Sequence, residues 1–281
     1  MIPGPLLPGR IVKTSQSMKL IQSRDNPFFK ELLKLTGSAR QRSKSAHTLL
    51  DGTHLLAAYL DAGKFPLHVF VNSAALQNEE VVTLLSRMAD VSTSQLADKL
   101  FEELSELKSP TGLLALIDIP VPAATVADSG FVLLLEDIRD PGNLGSMLRS
   151  AAAAGCDAVF LSRGCADAWS PKVLRAAMGG HFVVGLHEAV DLLAVAARFK
   201  GRVLAASPGA ADSLYDCDLL GKVAFAIGNE GAGISAELLG LCRPVAIPMP
   251  GKVESLNAAA AAAVCLFECV RQRLISGVPV Q

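Results

Sequence analysis

Tryptophan occurs once and tyrosine twice in 281 residues. Phe28, Phe29 and Tyr59, the aromatics nearest the basic end of the chain, fall within apolar helix patterns and read as core. A platform of stacked rings for bases is therefore not expected there. No uninterrupted apolar run approaches the roughly 18 to 20 residues that cross a bilayer, so the chain reads as soluble, without a membrane partner. All six cysteines (Cys156, Cys165, Cys217, Cys242, Cys265, Cys269) lie in the second half, without a CxxC pair or the spacing of a zinc site. They read as buried thiols of a reducing cytoplasm, with Cys265 and Cys269 one helical turn apart for packing. The five histidines form no HExxH, and no metal site is expected. No GxxxxGK[ST] occurs. Gly228, Gly231 and Gly233 spell GxxGxG rather than GxGxxG and stand late in the chain, which argues against a dinucleotide oxidoreductase.

A strong global charge is also missing, since the formal net charge is −1. The distribution is uneven all the same. Residues 1–50 hold nine Lys/Arg against two acids, residues 51–120 four against ten, and the remainder thirteen against fifteen. Lys19, Arg24, Lys30, Lys34, Arg40, Arg42 and Lys44 thus form a candidate contact surface for a polyanion. Residues 1–17, with prolines at 3, 5 and 8, contain no secretory core and read as a disordered extension, with Met18 as an alternative start.

From Asn26 a capped helix with Pro27 at its first position is expected, followed by a Ser-rich loop carrying Arg40, Arg42 and Lys44. Helices near 54–60, 79–87 and 95–104 and strands at 68–71 and 113–119 complete a small α/β unit over 18–119. The proline-flanked stretch 120–128 reads as a linker. Over 129–281, continuously apolar strands at 131–135, 158–161, 203–206, 223–227 and 245–247 alternate with helices. That pattern implies a parallel sheet covered on both faces, with a ligand at the carboxyl ends of its strands.

Three loops follow strand ends. Residues 136–145 lead into a helix carrying Asn143 and Arg149, and residues 228–233 hold Gly228 and Glu230. The stretch 247–267 breaks at Pro248, Pro250 and Gly251 and restarts as an alanine-rich helix near Ser255, with Asn257 beside its unpaired N–H groups. DPGNLGSMLRSAAAAG (140–155), IGNEGAGIS (227–235) and IPMPGKVESLNAAAAAA (247–263) resemble, in order, the three motifs of the SpoU/TrmH family. These are S-adenosylmethionine-dependent RNA ribose 2′-O-methyltransferases of the SPOUT class. WSPKVLRAAMGG (169–180) resembles the family's connecting motif, with Ala177 where a serine is more usual. DGTHLLAAYL (51–60) and the basic stretch before it resemble the substrate-binding domain that many members carry.

The resemblance implies an α/β fold: a C-terminal knotted parallel-sheet SPOUT domain with helices on both faces, plus a small N-terminal α/β RNA-binding domain. It also implies a trefoil knot, a homodimer through the C-terminal domain, and S-adenosyl-L-methionine as cofactor. By the same resemblance Gly228, Ile247 and Leu256 line the cofactor pocket, and Asn143, Arg149, Glu230, Ser255 and Asn257 surround the reacting ribose. The family assigns deprotonation to Arg149. A neutral arginine near pH 7 would need a shift of about six units, on the order of 8 kcal/mol. Arg149 is therefore read as a charged phosphate clamp and electrostatic stabiliser, which Glu230 could hold through a bidentate pair. The resemblance implies structured RNA as substrate, ribosomal ahead of transfer RNA. The alternative is an RNA-binding protein of the same architecture without activity.

Overall fold

Asn26 Oδ1 accepts from the backbone N–H groups of Phe28 and Phe29, and Pro27 needs no such partner, so the first helix starts where local chemistry places it. The computed structural model describes residues 18–122 and 130–277. The expected extension over 1–17 and most of the expected linker over 120–128 lie outside the described residues.

The first half runs β1 (Lys19–Ile21), α1 (Pro27–Gly37), α2 (Ala39–Ser45), β2 (His47–Asp51), α3 (Thr53–Asp61), β3 (His68–Val71), α4 (Glu79–Ser86), β4 (Thr93–Leu96), α5 (Asp98–Leu104) and β5 (Leu113–Asp118). Its five strands lie in the order β1-β4-β3-β5-β2, with β5 antiparallel to both neighbours and the other pairs parallel. Two sequence expectations are corrected here. The stretch read as a Ser-rich loop is the helix α2, because Ser38 Oγ accepts from Gln41 N and caps it. The helix expected over 95–104 is split, since Leu96 is fully buried as the end of β4 and only Asp98–Leu104 is helical.

The second half runs β6 (Phe131–Leu135), α6 (Pro141–Ala153), β7 (Ala158–Leu161), α7 (Pro171–Ala177), β8 (Gly185–His187), α8 (Leu192–Arg198), β9 (Arg202–Ala206), β10 (Val223–Ile227), α9 (Ala236–Leu239), β11 (Arg243–Val245) and α10 (Ala258–Ile275). Six parallel strands lie in the order β11-β9-β10-β6-β7-β8. The alternating faces of β6 and β10 explain why their sequences are apolar throughout. Leu133, Leu135, Phe225 and Ile227 share a core with α6, α7 and α10, whereas Val132, Leu134, Ala224 and Ala226 pack with α8 and α9. α6 and α7 approach so closely at Gly145 that an added Cβ would stand 2.7 Å from Val173 O. Cys265 and Cys269 are both buried in α10, and burial pushes their thiols up to about 12 and about 11, as suits groups used for packing.

The two sheets are joined by one continuous core that includes Leu50 and Tyr59 from the first half and Trp169 and Phe182 from the second. The rings of Tyr59 and Phe182 meet edge to face at 5.0 Å, Thr48 Oγ1 donates to Trp169 O at 2.9 Å, and Arg175 pairs with Glu106 at 3.0 Å. The strongest polar tie is Arg42. Its guanidinium donates to both Leu35 O and Thr36 O at the end of α1 and, through two nitrogens, to Asp167 of the second half. The expectation that Arg42 belongs to an exposed RNA surface is therefore corrected, because its side chain is 5% exposed and fully engaged inside the protein.

Candidate active site

β6 and β10 are neighbours in parallel register, Leu135 opposite Ile227, so the loops that follow them leave the sheet side by side. Glu136 N donates to Ile227 O at 2.9 Å. The Glu136 carboxylate accepts from both the backbone N–H and the hydroxyl of Ser235, each at 2.7 Å, and so pins the far end of the 228–235 loop onto the first loop. Inside that loop the Asn229 side chain accepts from Gly231 N and Ala232 N while its amide nitrogen donates to Asp137 O at 2.8 Å. The loop closes on itself at Gly228, where an added Cβ would lie 2.2 Å from the backbone carbon of Gly233. Gly228 is required there because no side chain fits.

Asp140 caps α6 by accepting from Asn143 N at 2.7 Å, which places Asn143 in the first turn facing the second loop. Its carboxamide is the centre of a polar row. Asn143 Nδ2 donates to Glu230 Oε1 at 3.1 Å, and Asn143 Oδ1 accepts from Asn257 Nδ2 at 3.0 Å. Asn257 Oδ1 in turn accepts from Ala259 N and Ala260 N, capping α10. These partners fix the orientation of both amides, since every oxygen in the row faces a donor. One residue from each of the three loops thus meets at the carboxyl edge of the sheet.

The remaining expected site residues make no hydrogen bond to this row. Ile247 is half-buried against the core just beyond β11, and Leu256 is 38% exposed on the segment leading to α10. Ser255 is exposed in the same irregular segment. The expected helix start near Ser255 is corrected to Ala258, because Asn257 supplies the cap and its own backbone leaves the helical region. Arg149 is exposed on α6, six residues beyond Asn143, which is about a third of a turn off the Asn143 face and about 9 Å along the axis. The bidentate Arg149–Glu230 pair is likewise corrected, since the Glu230 carboxylate faces Asn143 and Asn229 and Arg149 has no side-chain partner among the described residues.

Sequence reading missed Glu136, Asn229 and Ser235, which hold the loops in place. The signal was available in part: an acid at a strand end and a hydroxyl at a helix cap are visible, but nothing local tells that they meet. Of the expected RNA cations, Lys19, Lys34, Arg40 and Lys44 are exposed without side-chain partners among the described residues, while Arg24 pairs with Glu103 and Lys30 with Asp25. Among the described residues no cluster of His, Cys, Asp and Glu could hold a metal, and no helix is long and apolar enough to cross a membrane.

A six-stranded parallel sheet that gathers three polar loops at one edge, with a second α/β layer packed beside it, defines a two-layered α/β protein with a candidate ligand site at the carboxyl ends of its strands. Residues 130–267 match the SpoU rRNA Methylase family and residues 26–115 the MRM3-like substrate binding domain. The 23S rRNA (guanosine(2553)-2′-O)-methyltransferase RlmP of Bacillus subtilis is 32% identical over 257 residues, covering 89% of this chain and 98% of that protein. An uncharacterized tRNA/rRNA methyltransferase of Synechocystis is 31% identical over 269 residues, covering 92% and 96%. Among solved structures, the SpoU methyltransferase AviRb from Streptomyces viridochromogenes, in complex with AdoMet, superposes with a TM-score of 0.79 at 27% identity over 89% of this chain and 98% of that one. The chain belongs to the SpoU rRNA methylase family.

Proposed function

We infer that the chain transfers a methyl group from S-adenosyl-L-methionine to a ribose 2′-hydroxyl of structured RNA, and that the RNA is ribosomal. The observation that carries this is the row Glu230–Asn143–Asn257, in which three separate loops contribute one polar side chain each to a single edge of the sheet. The residues fit the cofactor. Gly228 lets the 228–233 loop close tightly on itself and so shapes that side of the site, Ile247 and Leu256 offer apolar surface, and polar groups stand at one end. When bound, S-adenosyl-L-methionine supplies an electrophilic sulfonium methyl group.

The chain's own residues then have distinct tasks. Gly228, Ile247 and Leu256 hold the adenosine end. Asn143, Glu230, Ser255 and Asn257 position the ribose and the polar end of the cofactor. Arg149, permanently charged and unpaired, holds the phosphate next to the reacting ribose and stabilises negative charge developing on the 2′-oxygen. Lys19, Lys34, Arg40 and Lys44 supply phosphate contacts from the first half, with Arg24 and Lys30 available once their exposed pairs open. Residues 18–119 act as the substrate domain and 129–281 as the catalytic domain, and the trefoil knot belongs to the same reading.

A homodimer through the second half is part of the proposal. Phe267, Leu274 and Ile275 on α10 are 46%, 67% and 73% exposed, a density of bare apolar side chains that a second copy would cover. Sedimentation at micromolar concentration tests it, and a strictly monomeric mass would overturn it. The cytoplasm is the proposed compartment, supported by six cysteines that are all free. The activity itself is tested by incubating the protein with methyl-tritiated S-adenosyl-L-methionine and ribosomal RNA. Label should enter nucleotides whose 3′ phosphodiester resists alkali. Cofactor binding without such label would favour the inactive RNA-binding alternative.

A further inference from the structure

A cavity of about 380 Å³ opens between α2 and the loop that follows β7. Arg40 and Ser43 line it from the first half, and Arg163, Cys165, Asp167 and Glu188 from the second. Two of its charges are committed to the protein. Asp167 accepts from Arg42 through one carboxylate oxygen and from Trp169 N through the other. Glu188 is held by Trp169 and Ala168, and burial pushes its carboxyl above the usual range. The two guanidiniums are free, since neither Arg40 nor Arg163 has a side-chain partner among the described residues. Arg42, anchored behind them, holds α2 in place over the opening.

The cavity also communicates with the candidate active site. Ser162, on its wall, donates to Asp137 Oδ1 at 2.7 Å and accepts from Asp137 N at 2.9 Å. Asp137 O accepts from Asn229, the neighbour of Glu230. Asp137 itself sits at φ 55°, in the left-handed region that Asp enters more readily than most residues. The cavity follows β7 and β8 and the polar row includes residues after β6 and β10, so both lie at the carboxyl edge of one sheet.

We propose that this cavity is a phosphodiester-binding site for the substrate RNA, in which Arg40 of the first half and Arg163 of the second grip one phosphate and so register the RNA against the active-site edge. The proposal rests on the RNA reading above. Two guanidiniums suit it because each offers a fork of donors matched to phosphate oxygens. A site split between the halves also makes RNA affinity depend on their docking, which a basic patch on one half would not.

The test uses the full chain with Arg40→Gln, Arg163→Gln and the double variant. RNA affinity is measured by fluorescence anisotropy against salt, cofactor affinity by calorimetry, and methyl transfer by tritium. Each single variant should weaken RNA binding about tenfold. The double variant should be little worse than either, and its log–log salt slope should flatten by about 0.7 to 0.9, the equivalent of one phosphate. S-adenosyl-L-methionine affinity should not change. Wild-type RNA affinity and salt slope in the double variant would overturn the site, whereas absence of methyl transfer in the wild type would overturn the enzymatic reading and leave the binding result standing. A further arm adds inorganic phosphate. If Arg40 and Arg163 matter for phosphate binding but not for RNA binding, the site serves a free anion and the proposal fails.

Discussion

Replacing Arg42 by alanine tests whether the two halves are held together as described. The guanidinium is 5% exposed and binds Leu35 O, Thr36 O and the Asp167 carboxylate, so its removal leaves two carbonyl oxygens and one carboxylate short of donors. Breaking one side of a buried ion pair costs about 3 to 5 kcal/mol. Asp167 is 23% exposed and keeps some of its hydration, which places the loss at the lower end, about 3 kcal/mol. For a chain of this size that is a fall in Tm of about 6 to 12 °C. Calorimetry of Arg42→Ala, Asp167→Asn and the double variant should give a coupling of about 1.5 kcal/mol or more between the two sites. Arg24→Ala, which breaks an exposed pair, serves as control and should stay within about 0.5 kcal/mol of wild type. If Arg42→Ala melts within about 2 °C of wild type, or the cycle shows no coupling, Arg42 does not join the halves and its role over the cavity falls with it.

Gly228→Ala places a Cβ 2.2 Å from the Gly233 backbone, so the 228–233 loop must open, and calorimetry should show S-adenosyl-L-methionine affinity at least about 100-fold weaker; unchanged affinity would move the pocket elsewhere. Arg149→Ala should keep cofactor affinity and lose at least about 100-fold in single-turnover methyl transfer, with partial rescue by Arg149→Lys, and a wild-type rate in the alanine variant would remove Arg149 from the chemistry. His181 donates from Nε2 to Ala168 O with Nδ1 buried and unpaired, and burial lowers its pKa from 6.5 to about 4. Between those values the unfolded chain binds a proton that the folded chain refuses, so stability should fall by about 3 kcal/mol as pH drops from 6.5 to 4. Denaturation of His181→Gln across that range should show a flatter pH dependence, and an identical slope would reject the assignment.

Several features were determined by sequence alone because their causes are local. Pro27 and Asn26 start α1, the all-apolar runs Phe131–Leu135 and Val223–Ile227 require cover on both faces, and the glycine, proline and asparagine of the three loops forbid regular structure where strands end. Elements whose reasons lie elsewhere in the fold were hidden. β1 and β8 are three residues long and take their form from neighbouring strands, and α2 has no apolar face to give a helical period. Charge was the least legible property. Seven cations read alike in the sequence, yet Arg42 is buried against Asp167 from 125 residues away, and two others are paired. A side chain's partner depends on long-range contact, which composition does not encode. The same distinction holds at the candidate site. Asn143, Glu230 and Asn257 were visible as polar residues at loop ends, but only the parallel register of β6 and β10 and the packing of α10 on α6 brought residues 87 and 114 positions from Asn143 within hydrogen-bonding distance of it.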